Sequence, residues 1–199
     1  MRRTETATGE YVGRLHEGMA RAVAVKGYGA TTIADIVREA GVSRRTFYEY
    51  FDTKAECLIS LYEAASRKAL GVLRDAIDPV RDWDAQLERA LSAYLGAMSA
   101  NPVLMRTLFI EILGLGPEGL AARRRVYQQI ADFILVVANS PSEDHRRSLS
   151  AQMATAVVGG INELVLTYIE RNQLEALHEL VGPASELVRA ATWIPARGA

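Results

Sequence analysis

Apolar residues recur at intervals of three and four along most of this chain, and strict alternation of apolar and polar positions is missing. Leu87, Leu91 and Tyr94 mark one such stripe, and Ile130 and Ile134 belong to another. A repeat near 3.6 residues is typical of amphipathic α-helices, whereas strands would show a period of two. The pattern therefore predicts an all-α protein of about nine helices.

Capping residues and prolines mark the ends of these helices. Thr53-Lys54-Ala55-Glu56 has the form of a capping box and predicts the start of a long helix that ends at Asp78-Pro79. Ser140-Pro141-Ser142-Glu143 predicts another start, with proline at the first helical position. Asn101-Pro102 and Gly116-Pro117 separate neighbouring helices. Composition changes near residues 50–55 without a flexible segment, so we expect an internal boundary there.

The segment from Gly27 to Leu58 predicts a helix-turn-helix. Thr32, with Asp35 three residues later, suits a helix start. Gly41 can adopt the positive φ of a sharp turn, and Ser43 can cap the next helix. Two short helices joined by such a turn place the second helix in the DNA major groove, where its first residues reach base edges.

The first residues of that second helix carry the chemistry of DNA recognition. Arginine suits the paired acceptors O6 and N7 of guanine, and threonine can bond a base or touch a thymine methyl group. Aromatic hydroxyls and a lysine further along fit phosphate contacts. The candidates for base edges are Ser43, Arg44, Arg45 and Thr46, and those for phosphates are Tyr48, Tyr50 and Lys54.

These residues resemble the signature of the tetracycline-repressor (TetR) family. The matching motifs are Thr31-Thr32-Ile33-Ala34-Asp35-Ile36, Ala40-Gly41-Val42-Ser43, Thr46-Phe47-Tyr48, Tyr50-Phe51 and Lys54. The resemblance implies a three-helix DNA-binding domain over residues 1–54 and a six-helix body over residues 55–199 that dimerises and holds a ligand cavity. It implies repression that a ligand relieves, and it adds Thr32 to the residues that contact the operator. His16 departs from the family pattern, because it occupies a usually apolar position in the first helix.

Composition and charge narrow the classes of function. The chain has 199 residues, 49% of them hydrophobic and 24% charged, which is typical of a globular protein. Residues 1–54 hold nine Lys/Arg against seven Asp/Glu, although the whole chain has a net charge of −1. A single cysteine, Cys57, argues against disulfides and a cysteine-based zinc site. With no signal peptide and no long uncharged run, we expect a cytoplasmic protein without a membrane partner.

Known catalytic motifs are missing: there is no P-loop, dinucleotide fingerprint, His-Glu-x-x-His or Gly-x-Ser-x-Gly. We therefore expect no catalytic residues, no metal and no cofactor, and a regulator rather than an enzyme. Three alternatives stay open: an activator with the same DNA-binding helices, a helical enzyme, and a helical interaction protein that has lost DNA binding.

The segment from Met153 to Ile169 is apolar on more than one face and contains small residues. A helix that is apolar on most sides must be covered on most sides, which predicts a four-helix interface between two copies of the chain. The predicted interface residues are Ala156, Gly159, Gly160, Leu164 and Val188.

The resemblance implies a ligand cavity, and aromatic and methionine residues on consecutive helices are compatible with its walls. Two polar residues in the otherwise apolar helix, Asn162 and Glu163, are candidates to orient a polar group of the ligand. We expect a hydrophobic or aromatic effector rather than a sugar or nucleotide. The remaining predicted cavity residues are Trp83, Tyr94, Met98, Met105, Phe109, Tyr127 and Phe133.

Overall fold

The computed structural model describes residues 2–78, 80, 82–140 and 148–192, and within these ranges it contains nine α-helices and no strand. The first five are α1 (Arg2–Ala30), α2 (Ile33–Ala40), α3 (Arg44–Tyr48), α4 (Lys54–Ala76) and α5 (Trp83–Ser99). The others are α6 (Pro102–Arg106), α7 (Pro117–Ala138), α8 (Ala151–Glu170) and α9 (Val181–Thr192). A π-helical turn (Thr107–Glu111) and a 3₁₀ turn (Leu113–Leu115) follow α6, and a 3₁₀ segment (Leu174–Leu180) precedes α9. The predicted all-α fold is confirmed.

Helix ends follow the local signals. The hydroxyl of Thr53 accepts the N–H of Glu56 at 3.1 Å, and the Glu56 carboxylate accepts the N–H of Asp52 at 2.7 Å, one residue before the capping position. The helices α6 and α7 begin at the predicted prolines. The predicted cap at Ser140-Pro141-Ser142-Glu143 falls largely outside the described residues. The next described helix, α8, is capped by the Ser150 hydroxyl.

The described residues form two compact units. Unit 1 comprises those within Met1–Arg67 and Val103–Arg123, and unit 2 those within Lys68–Pro102 and Arg124–Ala199. The helices α4 and α7 each begin in unit 1 and end in unit 2. A functional boundary after residue 54 stays a prediction.

Unit 1 is built on a close crossing of α1 and α2. A Cβ atom on Gly18 would lie 2.6 Å from the Ile36 carbonyl oxygen and 2.8 Å from the Ala40 Cβ, so only glycine allows this approach. Phe47 of α3 and Leu58 of α4 are fully buried, as Ile36 is. This core fixes the short helix α3 relative to the longer helices around it.

Unit 2 is built around α5, α8 and α9. Their apolar faces meet in one cluster, formed by Leu87, Leu91, Val157, Ile161, Ala184 and Val188. At the surface, the Arg189 guanidinium bonds the carboxylates of Asp84 at 2.7 Å and Glu88 at 2.6 Å, which ties α9 to α5.

Candidate nucleic-acid interface and ligand cavity

A buried carboxylate organises the start of α2. Asp35 accepts hydrogen bonds from the Thr32 N–H at 3.0 Å and the Thr32 hydroxyl at 2.7 Å. It also forms ion pairs with Lys26 at 2.6 Å and Arg38 at 3.1 Å. The hydrogen bond from Lys26 and those from Thr32 hold the pKa of this carboxyl well below its usual range. Thr32, a predicted DNA contact, is exposed, and its hydroxyl already takes part in this cap.

The turn between α2 and α3 has the positive φ that the glycine in its sequence predicts. Gly41 has φ 63° and ψ 39°, the left-handed conformation that favours glycine. The Arg14 guanidinium donates to the carbonyl oxygens of Ala40, at 3.1 Å, and Gly41, and so fastens the turn to α1. Sequence patterns did not identify Arg14, because its acceptors lie more than twenty-five residues away.

The helix α3 presents its charged residues outward from a buried anchor. The Ser43 hydroxyl accepts the N–H of Thr46 at 3.0 Å, and Phe47 is fully buried. Arg44 is exposed, and the Arg45 side chain is 91% exposed, with Glu49 3.3 Å away as its ion-pair partner. An exposed pair of this kind contributes little to stability and leaves the guanidinium available to another acceptor.

The predicted phosphate contacts have different surroundings. Tyr48 is 56% exposed at the end of α3. Tyr50 is half-buried and stacks on Tyr11, with ring centroids 6.4 Å apart. The described structure therefore brings Ser43, Arg44, Arg45, Thr46 and Tyr48 onto one short helix and its cap. Their contacts with DNA stay a prediction.

Lys54 has a structural role that the sequence did not reveal. Its Nζ donates to the carbonyl oxygens of Tyr28 at 2.9 Å, Gly29 at 3.2 Å and Thr31 at 2.8 Å, and it lies 4.4 Å from the centre of the Tyr28 ring. Carbonyls at a helix C-terminus lack intrahelical donors and attract cations. Since an ammonium group has three N–H donors, these bonds occupy all of them and compete with the predicted phosphate contact.

His16 fits its position as a neutral imidazole. Its Nε2 lies 2.9 Å from the Ser60 hydroxyl, and its ring packs 6.1 Å from that of Phe51. Burial, and secondarily the charge of Arg67, lower the pKa of His16 from 6.5 to about 4. The imidazole is therefore uncharged at neutral pH, which explains how α1 accommodates a polar residue at an apolar position.

Unit 2 contains an apolar cavity. The cavity volume, counted as the space that the centre of a water molecule can occupy, is about 70 Å³. The whole hollow, including its opening to solvent, has a volume of about 670 Å³. Of the predicted residues, Trp83, Tyr94, Phe133 and Asn162 line it. Most other walls are aliphatic residues of α5, α7 and α8, together with Leu73 and Ile77 at the end of the long helix.

Five predicted residues do not line this cavity: Met98, Met105, Phe109, Tyr127 and Glu163. Glu163 lies on the exposed side of α8, opposite the buried face that carries Ile161 and Val165. Met105 and Phe109 belong to unit 1. The predicted polar contribution of Glu163 to the cavity is therefore wrong, whereas that of Asn162 is consistent with its position.

The residues predicted for the dimer interface also lie in different surroundings. Val188 is buried in the apolar cluster of its own chain and lines the cavity, so it does not lie on a free surface. Gly160 faces α9, since a Cβ there would lie 2.9 Å from a methyl group of Leu187. Ala156 is exposed, Leu164 is half-buried, and a Cβ on Gly159 would meet no atom within 4 Å. The small residues thus lie on two faces of α8. Gly160 packs against α9 of the same chain, whereas Ala156 and Gly159 lie on the accessible face.

Among the described residues, no single helix is long and apolar enough to cross a membrane. The pair Trp83–Ser99 and Pro102–Leu115 reaches the necessary length and composition only when taken together across a break.

Comparison with known proteins assigns the N-terminal segment. Residues 19–61 match the sequence model of the family described as bacterial regulatory proteins, tetR family. An uncharacterized HTH-type transcriptional regulator, YxbF of Bacillus subtilis (strain 168), is 30% identical over 77 residues, which cover 39% of this chain and 20% of that protein.

Two further similarities extend along most of the chain. The fatty acid metabolism regulator protein of Bacillus subtilis (strain 168) is 24% identical over 173 residues, covering 83% of this chain and 87% of that protein. The crystal structure of the transcriptional regulator FadR from Bacillus subtilis, in complex with stearoyl-CoA, superimposes with a TM-score of 0.71 at 21% identity, covering 88% of this chain and 96% of that one. The structural likeness shows a shared fold. Beside this shared fold, the match of residues 19–61 shows that the chain carries a segment of the tetR family of bacterial regulatory proteins.

Proposed function

We propose that this chain binds a pseudo-palindromic DNA operator as a homodimer and represses transcription until a hydrophobic or aromatic molecule enters the unit 2 cavity. The observation that carries the proposal is the outward face of α3. There, Arg44 and Arg45 are exposed on a helix that Phe47 anchors in the core. A rigid support is what a base-reading side chain needs, because bidentate contacts with guanine tolerate little displacement.

A second recognition helix is required for useful affinity, and the exposed face of α8 supports a dimer. Ala156, Gly159 and Glu163 follow one another on this face at helical spacing, and all three are accessible in the single chain. The two small residues would let a helix of a second copy approach closely. Two linked half-site contacts bind far more tightly than either alone, because the second becomes intramolecular.

The unit 2 cavity supports an apolar effector. Its described walls carry no charged side chain, and transfer of a charge into such surroundings is costly. The FadR relative was solved with stearoyl-CoA, an apolar chain attached to a nucleotide. We propose that this chain takes an apolar group into the cavity, and that any charged group of the effector stays outside these walls.

The helix α4 offers a route from cavity to DNA. Lys54 at its first residue caps α1, and Leu73 near its last residue lines the cavity. A ligand that fits only one placement of Leu73 therefore biases the helix that supports the DNA-binding segment. A coupling of about 1–3 kcal/mol would weaken operator binding about 5- to 150-fold.

The test combines DNA binding with transcription. Duplexes selected from a random pool by the full-length protein should share an inverted repeat whose half-sites lie about one helical turn, or a multiple of it, apart. A promoter that contains this repeat should be transcribed less in vitro when the protein is added. Increased transcription would indicate the activator alternative, and failure to enrich any sequence would refute the proposal.

A further inference from the structure

The unit 2 cavity contains one amide side chain in an otherwise aromatic and aliphatic wall. Asn162 is 9% exposed and lies on α8, where it lines the cavity together with Val158 and Ile161. A buried amide costs free energy unless its donors and acceptors are matched. The distribution of its hydrogen bonds therefore indicates which chemistry the cavity accepts.

The orientation of the Asn162 amide follows from its neighbour. Its Nδ2 lies 2.8 Å from the Val158 carbonyl oxygen. A carbonyl oxygen only accepts, so the amide nitrogen must be the atom facing it, and the reversed orientation would bring two oxygens together. The Oδ1 atom is the other branch of the amide, and the hydrogen bond recorded for this side chain within the described residues is the one from Nδ2.

No described residue lining the cavity is charged. Arg74 is exposed and lies 6.0 Å from the ring of Phe133. Phe133 itself faces the cavity. An anionic group of a ligand would thus meet no cation inside, only the neutral polar atoms of Asn162, Trp83 and Tyr94 among apolar side chains.

We propose that the effector presents a neutral hydrogen-bond donor, a hydroxyl or phenol on an apolar body, to the Oδ1 atom of Asn162. This inference rests on the proposed ligand control through the same cavity and specifies its chemistry. A carboxylate, or a group that only accepts hydrogen bonds, leaves Oδ1 unmatched and opposes its partial negative charge. An apolar body of modest size suits the available space.

Three probes of nearly equal shape separate the chemistries: 4-propylphenol, 4-propyltoluene and 4-propylbenzoate. Calorimetric titration of the full-length protein at pH 7.5 gives a Kd for each. The phenol and the toluene differ only in a hydroxyl against a methyl group. The cost of desolvating each probe is the same for every protein variant, so it cancels when their affinity ratio is compared between variants. The change in this ratio therefore measures the hydrogen bond to the hydroxyl. The benzoate is an anion at this pH and should bind at least tenfold more weakly than the phenol.

The Asn162→Leu substitution removes the acceptor and keeps a side chain of similar size. The phenol should lose about tenfold in affinity relative to the toluene, the effect of leaving one hydroxyl without a partner. Asn162→Ala should shift the ratio in the same direction, which guards against a folding defect in either variant. The matched control, Val158→Ala, alters the wall without changing its polarity and should weaken both probes with a ratio constant within about twofold.

The affinity ratio of phenol to toluene also shows whether Asn162 is the residue that accepts the hydrogen bond. This matters because Trp83 and Tyr94 carry polar atoms in the same wall. An unchanged ratio in both Asn162 variants, with both probes still bound, would overturn the donor rule and leave the ligand-controlled regulator intact. Tighter binding of the benzoate than of the phenol would overturn it too. Failure of all three probes to bind at millimolar concentration would overturn the donor rule and the proposed ligand control together, while operator binding without ligand remains a separate measurement.

Discussion

Substitution of Lys54 separates a structural cation from a DNA-contacting one. Lys54→Met keeps most of the apolar stem and deletes the ammonium, which bonds three carbonyl oxygens within 3.2 Å and lies over the Tyr28 ring. Hydrogen bonds to a charged group contribute about 1.5–3 kcal/mol, and an accessible cation–π contact about 0.5–1 kcal/mol. Because Lys54 is half-buried and its bonds share one charge, we expect a net loss of about 2–3 kcal/mol in local stability.

Amide hydrogen exchange measures this loss where it arises. The N–H of Thr31, bonded to the Tyr28 carbonyl at 3.2 Å, should exchange about 30- to 150-fold faster in Lys54→Met. Lys68→Met, on the exposed side of the same helix, is the matched control and should leave this exchange unchanged. Operator affinity should fall for all sequences alike while its salt dependence is kept, because no phosphate contact is lost.

A structural role for the Lys54 ammonium is refuted if exchange at Thr31 stays at the wild-type rate while the salt slope of DNA binding falls by about one unit. That outcome would assign the ammonium to a phosphate and would make its three carbonyl contacts incidental.

Other consequences can be measured independently. Arg45→Ala should weaken operator binding by about 1–3 kcal/mol and relax the preference at one base pair, and equal losses on operator and random DNA in anisotropy titrations would exclude base reading. His16, with a pKa of about 4 when folded and 6.5 as its ordinary value, stabilises unit 1 fully above pH 6.5, and this contribution is lost as the pH falls toward 4. His16→Leu should remove roughly 1–2 kcal/mol of that pH dependence. The assignment would be contradicted if the free energy of unfolding, measured with urea, changed with pH equally in the variant and the wild type. Gly159→Trp should prevent dimerisation while the chain stays folded, whereas Gly160→Trp should also disturb the packing against Leu187; a Gly159→Trp dimer in sedimentation would place the interface elsewhere.

Local features of the fold could be predicted because their causes lie within a few residues. The Thr32–Asp35 cap, the left-handed Gly41 and the Ser43 cap each depend on atoms three or four positions apart. Proline starts for α6 and α7 have the same origin. These short-range rules were sufficient to define the helix-turn-helix and to position Arg44 and Arg45 on its outer face.

The cavity and the C-terminal face could not be resolved by the same rules. Helical spacing shows which residues share a face, and it does not show which helix covers that face. Their spacing predicts Gly160 and Val188 at an interface with a second copy of the chain. Gly160 instead packs against Leu187 of α9, and Val188 is buried in the apolar cluster of its own chain. Glu163 is adjacent to Asn162 in sequence and points to solvent, because successive helical residues are about 100° apart.

Lys54 shows the limit of reading charge from sequence. A lysine after a recognition helix fits a phosphate contact by residue type and spacing. The carbonyl oxygens that it bonds belong to Tyr28, Gly29 and Thr31, more than twenty residues earlier. Only the packing of α4 beside the end of α1 brings them together.

Selection from a random duplex pool measures whether α3 reads DNA sequence. Full-length wild-type protein and the Arg44→Ala/Arg45→Ala variant would be carried through the same rounds of selection, with circular dichroism confirming that both are folded. The wild type should enrich an inverted repeat, and the variant should enrich none, although it retains weak non-specific binding through its remaining basic residues. Enrichment of the same repeat by both proteins would contradict the assignment of sequence recognition to this helix.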